Sequence, residues 1–415
     1  MASPSDSRVK TEHIKAALKE DKGIDATLNT WKVIRFTEKG DNYQSDVFSI
    51  YATFMQDGQL QNTSYVVKSV IPAEEKFKQY YHDIFEKEAK LLLELARTLS
   101  GKLIEIGQHV LRVPRGIFYS DTFESEFLIM NDLRLDKFKM VDRKLGLDLP
   151  HTILALRELG RYHASWKLLK GKTSEKEMMA RYPYLAIKSW QNIPDGMGDD
   201  LDGWFQGSVD NAVKLLKTVT GYEKAIKWLE TIKPDFRKIF IEQMNSSEQF
   251  AVLTHGDYWS NNMLFRYDSE GCPCEIIMID LSNYTHSSLA TDLNYLLFCS
   301  LDGNTRKTHL STFLSAYYNS FATVMKAGGS EMPFSLEELL VELKANIYGA
   351  LMAFMVVPLF IMDKEDVPDF DEINDIEKFN KNQEERMISQ AKNNPLVKTR
   401  FLSVFDDLLE NGTIA

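Results

Sequence analysis

The sequence predicts an α+β fold, in which a small β-rich N-terminal part precedes a large, mainly helical C-terminal part. The chain has 415 residues, which is long for one hydrophobic core and favours two or three domains or lobes. Apolar side chains alternate with a period of two over residues 47–54, as in a half-buried strand. Beyond residue 150 the apolar pattern is helical. We therefore divide the chain into residues 1–132 and residues 133–415.

The N-terminal part is predicted to contain a hairpin. Residues 47–54 (VFSIYATF) are β-branched and aromatic residues for the most part, which favour strands. A polar stretch that contains Gly58 (QDGQLQNTS) is typical of a hairpin connection. A second strand follows (YVVKSVI), and Pro72 is expected to end it because proline cannot donate to a strand ladder.

A helix is predicted from about Asp83, with Gly101 as its C-terminal end. Its apolar residues, three and four positions apart, form one face: Phe85, Ala89, Leu92, Ala96 and Leu99. Two further strands are predicted in VLRVPRGIFYS and SEFLIMNDL. In the C-terminal part we expect helices in HTILALRELGRYHASWKLL and SLEELLVELKANIYGALMAFM, and one short strand that ends in an acid, CEIIMIDLS.

The composition narrows the class of protein. The chain has 60 acidic and 49 basic residues and a formal charge of −11, which argues against nucleic acid as a partner. Three cysteines and an N-terminus without an apolar segment predict a cytoplasmic protein. The uncharged run at residues 346–362 is short for a bilayer span and contains Pro358. We expect it to form a buried helix and predict no membrane insertion.

Two acids and an asparagine suggest phosphoryl transfer. Asp257 and Asn262 lie five residues apart in HGDYWSNN, and Asp280 ends the apolar run IIMID. Taken singly, such residues are typical of turns and strand ends. Together they provide two hard oxygen ligands for Mg²⁺, from Asn262 and Asp280. Asp257 remains free to orient an incoming hydroxyl and accept its proton, which is what phosphoryl transfer requires.

Lys68 lies within an apolar strand (YVVKSV), where a lysine is costly to bury unless it is paired. One interpretation is an edge-strand lysine that faces water. The other places its ammonium group on nucleotide phosphates, steadied by a carboxylate of the following helix. Glu88 is the candidate because it flanks the apolar helix face, and Glu86 is the competing choice.

Other polar residues carry weaker signals. Gly40 lies between two predicted strands in KGDNYQSDVF and either makes a simple turn or offers backbone N–H groups to phosphate. Cys272 and Cys274 have no second pair at zinc-finger spacing. His163 is expected to be a packed helix residue rather than a catalytic one. His255 is expected to hold the loop backbone, because it lacks a serine or cysteine nucleophile in a recognised pattern.

The segments HGDYWSNNMLF and IIMIDLS resemble the Asp-x4-Asn and metal-binding Asp motifs of the aminoglycoside and choline kinase-like superfamily. More closely, they resemble those of the ecdysteroid kinase-like family. The resemblance extends, in the same order and spacing, from about residue 30 to residue 300. It includes the segments GDNYQSDVFSIYATF, YVVKSVIP, FEKEAKLL, LIMNDLRLDKFKMVDRKLGLD, LGRYHASWKL and SSLATDLNYLLF.

The resemblance implies a bilobal protein-kinase-like fold with ATP and Mg²⁺ in the cleft. Asp257 corresponds to the catalytic base, Asn262 and Asp280 to the metal ligands, and Lys68 with Glu88 to the ion pair at the phosphates. The nucleotide is expected to contact two further segments, at Gly40, Asn42, Tyr43 and Ser45 and at Asn131 and Leu133. The second of these is the linker strand, where the adenine is expected to lie.

By the same resemblance, Asp292 is an acid twelve residues after Asp280 that caps a helix and braces the catalytic loop. The chain also departs from the family pattern. Leu281-Ser282 stand where Phe-Gln is usual, and a usual proline is absent near Leu289. These departures bear on the loop geometry and the substrate preference more than on the activity, because neither position supplies a necessary oxygen or charge.

The family implies transfer of the γ-phosphoryl group to a hydroxyl of an ecdysteroid or a similar lipophilic alcohol. The Met- and aromatic-rich segment 347–362 is first of all core and, secondarily, a candidate wall of an apolar acceptor pocket. One alternative is a choline-like or detoxifying kinase, which an acidic chain favours if the acceptor is cationic. The other is a catalytically silent hormone-binding protein of the same fold.

Overall fold

The computed structural model describes most of the chain. The described residues are 8–35, 45–71, 75–188, 190, 193, 197–361, 381, 382, 385, 389 and 394–415. Within them, a five-stranded sheet lies before residue 132 and helices dominate thereafter. The predicted α+β class, with a small β-rich N-terminal part and a mainly helical remainder, is confirmed. The placement of a lobe boundary at residue 132 stays a prediction.

The N-terminal sheet is antiparallel, with the strand order β1-β2-β3-β5-β4. Its strands are β1 (Thr27–Ile34), β2 (Ser45–Gln56), β3 (Gln59–Val70), β4 (Gly116–Ser120) and β5 (Phe127–Asn131). Strand β3 therefore lies between β2 and β5 at the centre of the sheet. In register, Lys68 faces Val47 on one side and Leu128 on the other.

The connection between β2 and β3 consists of two residues, Asp57 and Gly58. Both residues have positive φ, 51° and 72°, as a two-residue type I′ turn requires. The longer polar connection that the sequence predicts is wrong, because strand β3 already begins at Gln59 and pairs with Gln56. The polar residues at this end of the hairpin are exposed parts of the strand.

Helix α1 (Thr11–Lys22), which was not predicted, packs against β1 and β4. The predicted helix consists of α2 (Lys78–Lys90), a π turn (Leu91–Leu95) and α3 (Ala96–Glu105). Its five predicted apolar residues are all buried. Its predicted end at Gly101 is wrong, because the left-handed residue that ends the helix is Gly107, with φ of 73°.

The C-terminal part contains ten helices within the described residues and two small sheets. The helices are α4 (Leu149–Gly171), α5 (Glu175–Arg181), α6 (Met197–Leu216), α7 (Glu223–Ile232), α8 (Phe236–Glu242), α9 (Leu289–Ser300), α10 (Gly303–Ala327), α11 (Leu336–Ala345), α12 (Tyr348–Phe360) and α13 (Ser403–Glu410). Strands β6 (Ala251–Thr254) and β9 (Thr285–Ser288) pair, as do β7 (Met263–Tyr267) and β8 (Pro273–Met278). These four strands frame the loops that carry the predicted acids.

The predicted helix over SLEELLVELKANIYGALMAFM is two helices, α11 and α12, which meet at a bend of 54°. The side chain of Asn294 on α9 stabilises the bend, because its amide donates to the carbonyls of Leu343 and Asn346. No single described helix is long and apolar enough to span a membrane, although the α11–α12 pair passes that test by length and composition. The described side chains of α12 are buried inside the protein, as expected for a core helix.

We expect Gly349→Ala to destabilise the protein. A Cβ at Gly349 would lie 2.1 Å from the carbonyl oxygen of Asn294, because α12 packs directly on the backbone of α9. Overpacking of this kind costs about 1–3 kcal/mol. The matched control is Gly101→Ala on α3, where a Cβ would meet no atom within 4 Å. It is expected to stabilise by roughly 0.5–1 kcal/mol through helix propensity. Denaturant unfolding measures both, and equal effects would contradict the close contact between α9 and α12.

Candidate active site

A short loop after β6 brings two of the predicted residues together. The chain leaves β6 at Thr254, passes through residues 255–259 and forms a single 3₁₀ turn, Ser260–Asn262, before β7. The Asn262 side-chain amide donates to the Asp257 backbone carbonyl at 2.9 Å and to the Asp257 carboxylate at 2.7 Å. The predicted base and the predicted metal ligand are thus in direct contact.

Gly256 gives this loop its shape. Its φ is 80°, and a Cβ there would lie 2.1 Å from the carbonyl oxygen of Asn283. Only glycine fits both the left-handed backbone and the close approach. The backbone of the loop therefore packs directly on the segment that follows Asp280.

Asp292, in the first turn of α9, binds the backbone at the start of the loop of residues 255–259. Its carboxylate accepts hydrogen bonds from the backbone N–H groups of His255 at 2.6 Å and Gly256 at 2.9 Å. The predicted bracing contact is therefore present. The predicted capping role is wrong, because the N-cap of α9 is Ser288, whose hydroxyl accepts from the Ala290 N–H.

His163 on α4 completes this buried arrangement. Its Nε2 lies 3.1 Å from the Asp292 carboxylate and its Nδ1 lies 2.8 Å from the Tyr317 hydroxyl. Burial lowers the pKa of His163, and this outweighs the opposing effect of Asp292, so the imidazole is neutral. Because a carboxylate only accepts, Nε2 donates to Asp292 and Nδ1 accepts from Tyr317. His163 is a packed helix histidine, as predicted.

His255 links the loop to the strand segment before Asp280. Its Nε2 donates to the carbonyl of Ile279 at 3.0 Å, and the Asp257 N–H approaches its Nδ1 at 3.4 Å. The backbone of Ile279 in turn donates to the Asn262 carbonyl at 2.9 Å. These contacts hold Asp257, Asn262 and Asp280 on two adjoining backbone segments.

Lys68 joins the two parts of the protein at this site. Its ammonium nitrogen lies 2.6 Å from the Glu88 carboxylate and 2.9 Å from the Asp280 carboxylate. The alternative of an edge-strand lysine is wrong, because β3 is central and the Lys68 side chain is only 13% exposed. Of the two candidate partners on α2, Glu88 forms the ion pair with Lys68, and the Glu88 side chain is buried.

The electrostatics of this cluster keep Lys68 and Asp280 charged. Burial alone would lower the pKa of Lys68, but Asp280 and Glu88 raise it above its usual value. Partial removal from water would likewise raise the pKa of Asp280, but Lys68 holds it below its usual range. Asp257 behaves differently: burial raises its pKa, the nearby Asp280 charge adds to this, and the hydrogen bond from Asn262 offsets only part of it.

Asp280 itself has an unusual backbone, with φ of 58°, a left-handed conformation in which aspartate is one of the few tolerated residues. The Ser282 hydroxyl donates to its carboxylate at 3.1 Å. Ser282 is one of the two residues that replace the family's usual Phe-Gln pair, and the other, Leu281, is fully buried. Ser282 thus makes a contact to Asp280 that could not be predicted from the sequence.

The structure describes three of the six further residues predicted to bind the nucleotide: Ser45, Asn131 and Leu133. Gly40, Asn42 and Tyr43 lie outside the described residues. Ser45 begins β2, at the same end of the sheet as Lys68. Asn131 uses its side-chain carbonyl to accept from the Arg115 N–H at 2.7 Å, and Leu133 packs in a small apolar cluster with Phe138 and Ile277.

Among the described residues, no group of three or more His, Cys, Asp or Glu side chains is arranged to hold a metal ion. Cys272 and Cys274 are exposed free cysteines. A site with one carboxylate and one amide, completed by phosphate and water oxygens, is nevertheless usual for Mg²⁺.

The α+β fold thus brings together a lysine on the central strand β3, its glutamate partner on α2, and an aspartate and an asparagine in a loop between strands. The chain belongs to the ecdysteroid kinase-like family, whose model matches residues 39–329. This membership supports a small-molecule kinase.

Solved structures include similar proteins of low identity. A choline kinase from Cryptosporidium parvum is 13% identical with a TM-score of 0.44, over 97% of this chain and 97% of that chain. An ethanolamine kinase from Plasmodium vivax is 12% identical with a TM-score of 0.41, over 90% of this chain and 84% of that chain. No curated protein matches the sequence.

We expect Asp292→Asn to loosen the loop of residues 255–259. An amide cannot accept on both atoms, so one of the two loop N–H groups would face an NH₂ group inside the protein. Such a loss costs about 1–3 kcal/mol, and the Gly256 amide should exchange with solvent faster. The matched control is Asp268→Asn, because Asp268 also accepts two backbone N–H groups, but both on one oxygen, Oδ1, in an exposed turn, so the single amide oxygen of asparagine can keep them. Thermal unfolding and amide hydrogen exchange measure both variants. Equal effects at both positions would contradict the special role of Asp292.

Proposed function

We propose that this protein is an ATP- and Mg²⁺-dependent kinase that transfers the γ-phosphoryl group to a hydroxyl of a small molecule. The observation that supports this most is the convergence of Lys68, Asp257, Asn262 and Asp280 in one site. The fold brings Lys68 from a distant part of the chain to the three residues between positions 257 and 280. The set suits phosphoryl transfer, because it offers a cation for the phosphates, two oxygen ligands for a metal and a base. Family membership supports the same chemistry.

The residues present fit a magnesium ion. Asn262 turns its amide nitrogen toward Asp257, and its side-chain oxygen accepts no hydrogen bond from any described residue. The Asp280 side chain is 41% exposed, and Lys68 and Ser282 both contact its Oδ1, which leaves Oδ2 for a ligand. Both are the hard oxygens that Mg²⁺ prefers. When bound with ATP, the ion would neutralise charge on the β- and γ-phosphate oxygens.

In the proposed reaction, the acceptor hydroxyl oxygen forms a bond to the γ-phosphorus while the bond from that phosphorus to the ADP oxygen breaks. Asp257 orients the hydroxyl and accepts its proton. The raised pKa of Asp257 makes its carboxylate a stronger base than an exposed aspartate. Lys68, held by Glu88, balances the negative charge of the phosphates. ADP and the phosphorylated alcohol are the products.

For the nucleotide, we propose contacts from Gly40, Asn42, Tyr43 and Ser45 on one side and from Asn131 and Leu133 on the other. Ser45 lies at the Lys68 end of the β2–β3 pair, which supports its placement near the phosphates. The Asn131 side chain is bonded to Arg115, so backbone groups of this strand are the better candidates for the adenine.

For the acceptor, we propose an ecdysteroid or a similar lipophilic alcohol. Family membership is what supports this choice. The segment 347–362 gives it no support, because its described side chains are packed within an apolar cluster with α6 and α9. Their role is that of core, which was the first of the two roles expected from the sequence.

A comparison of two acceptors on two proteins tests the proposal. Wild type and Asp257→Asn are incubated with Mg·ATP and equal concentrations of an ecdysteroid or choline, and products are measured by mass spectrometry. We expect the wild type to phosphorylate the ecdysteroid faster. Asp257→Asn should be about 100- to 10,000-fold slower, because it keeps the size of the side chain but cannot act as the base.

Thermal unfolding and Mg·ATP titration serve as controls, and both should be near normal in Asp257→Asn. Faster turnover of choline would overturn the acceptor proposal. Normal turnover by Asp257→Asn would overturn the assignment of the base. A wild-type protein that binds neither ATP nor Mg·ATP would be a silent member of the fold.

A further inference from the structure

Lys87 on α2 is a lysine that the protein encloses completely. Its side chain is fully buried, and its ammonium nitrogen lies 4.3 Å from the centre of the Tyr284 ring. Burial lowers the pKa of Lys87 to about 7, because a charged group is costly to remove from water. The ring opposes that loss, since an aromatic face attracts the charged form. A methionine has a similar length and no charge, so packing alone does not explain a lysine at this position.

Two contacts join Lys87 to Tyr284. The ammonium group lies over the tyrosine ring, and the tyrosine hydroxyl donates to the backbone carbonyl of Lys87 at 3.2 Å. The Tyr284 side chain is buried as well. Lys87 belongs to α2, whereas Tyr284 belongs to the segment between β8 and β9. The pair therefore ties the N-terminal part of the protein to the C-terminal part at a place from which water is excluded.

The same two elements carry the carboxylates that contact Lys68. Glu88 follows Lys87 on α2, and Asp280 lies in the segment between β8 and β9. Their oxygens lie 2.6 and 2.9 Å from the Lys68 ammonium nitrogen. Two like charges repel, so their short separation depends on Lys68 and on other contacts between the two elements. In the proposed reaction Lys68 faces the phosphates and Asp280 binds the metal, whereas the contact between Lys87 and Tyr284 is separate from these groups and can persist.

Tyr284 also lies next to the loop that carries Asp257. The residue before it, Asn283, places its carbonyl oxygen 2.1 Å from where a Cβ of Gly256 would lie. A shift of Tyr284 would therefore move the backbone on which the loop of residues 255–259 packs. The position of this one ring thus affects the backbone beside both the predicted metal ligand and the predicted base.

We propose that Lys87 is a positioning residue for the Mg·ATP site. Through the ring of Tyr284, its charge holds α2 against the segment between β8 and β9, which keeps Glu88 and Asp280 at the separation that the metal and the phosphates require. This inference rests on the proposed function, because it assumes that these carboxylates and Lys68 form the nucleotide site. A purely structural Lys87 would contribute packing alone, and its charge would be irrelevant to nucleotide binding.

Lys87→Met removes the charge and keeps a side chain of similar length. The matched control is Lys90→Met, which removes a charge from the same helix, where Lys90 pairs with Glu94 one helical turn later. Measurements are made at about pH 6, below the pKa of Lys87, so that its charge is present. Calorimetric titration gives the Kd of Mg·ATP and the number of sites separately, so a loss of folded protein does not alter the Kd. Thermal unfolding measures the stability.

We expect Lys87→Met to raise the Kd of Mg·ATP roughly 10-fold, within the range of about 5- to 150-fold that is typical of coupling between sites. Its unfolding midpoint should equal or exceed that of the wild type, because the folded protein no longer holds a charged lysine out of water. Since folding lowers the pKa of Lys87, this burial penalty is fully present below about pH 7. Lys90→Met should bind Mg·ATP as the wild type does.

A second variant, Tyr284→Leu, tests whether the effect passes through the ring. It should raise the Kd of Mg·ATP at least as much as Lys87→Met does. Adding Lys87→Met to Tyr284→Leu should then cause no further increase in Kd, because the group on which the charge acts is gone.

A wild-type Kd in Lys87→Met would overturn the inference. An equal fold increase in Kd when Lys87→Met is added to the wild type and to Tyr284→Leu would also overturn it, because the effect would then not pass through the ring. Failure of the proposed function has a different signature: Mg·ATP binds with the expected differences among the variants, but no hydroxyl acceptor is phosphorylated. A wild-type protein that does not bind Mg·ATP would overturn both.

Discussion

The contact of the Lys68 ammonium group with the carboxylates of Glu88 and Asp280 is the interaction on which the rest of the site depends. A lysine inside an apolar sheet is costly unless it is paired, and removing one partner of a buried pair typically costs about 3–5 kcal/mol. The three charges come from β3, from α2 and from the segment after β8. Their contact therefore fixes the sheet, the helix and the C-terminal part relative to one another, and it places a cation and an exposed carboxylate edge side by side.

The loop of residues 255–259 is held next to the Lys68–Glu88–Asp280 cluster by contacts on two sides. On one side, His255 bonds to the carbonyl of Ile279 and Gly256 packs against Asn283, so the loop follows the backbone on either side of Asp280. On the other side, Asp292 binds the loop N–H groups and is itself bonded to His163. These contacts hold Asp257, Asn262 and Asp280 within a narrow range of positions, which is the support that the proposed chemistry requires.

Much of the fold and of the site could be predicted from the sequence, because alternating and helical apolar patterns are local and the chemistry of Lys68, Asp257, Asn262 and Asp280 is specific in type and spacing. The predictions of the helix end and of the helix cap were wrong because they depend on backbone geometry, which residue types alone do not determine. Gly101 and Gly107 both suit a helix end, and only the backbone conformation shows that Gly107 is used. Ser288 and Asp292 both suit a cap, and only the position of the loop decides which one faces it.

The central claim is that the Lys68–Glu88–Asp280 cluster forms the Mg·ATP site, and calorimetric titration of wild type and Asp280→Asn with ATP, with and without Mg²⁺, tests it most directly. Asparagine keeps the shape of the side chain and removes the charge that would bind the metal and pair with Lys68. The account predicts that Mg²⁺ strongly increases the affinity of the wild type for ATP and has little effect on that of Asp280→Asn. An equal effect of Mg²⁺ on both proteins would contradict it.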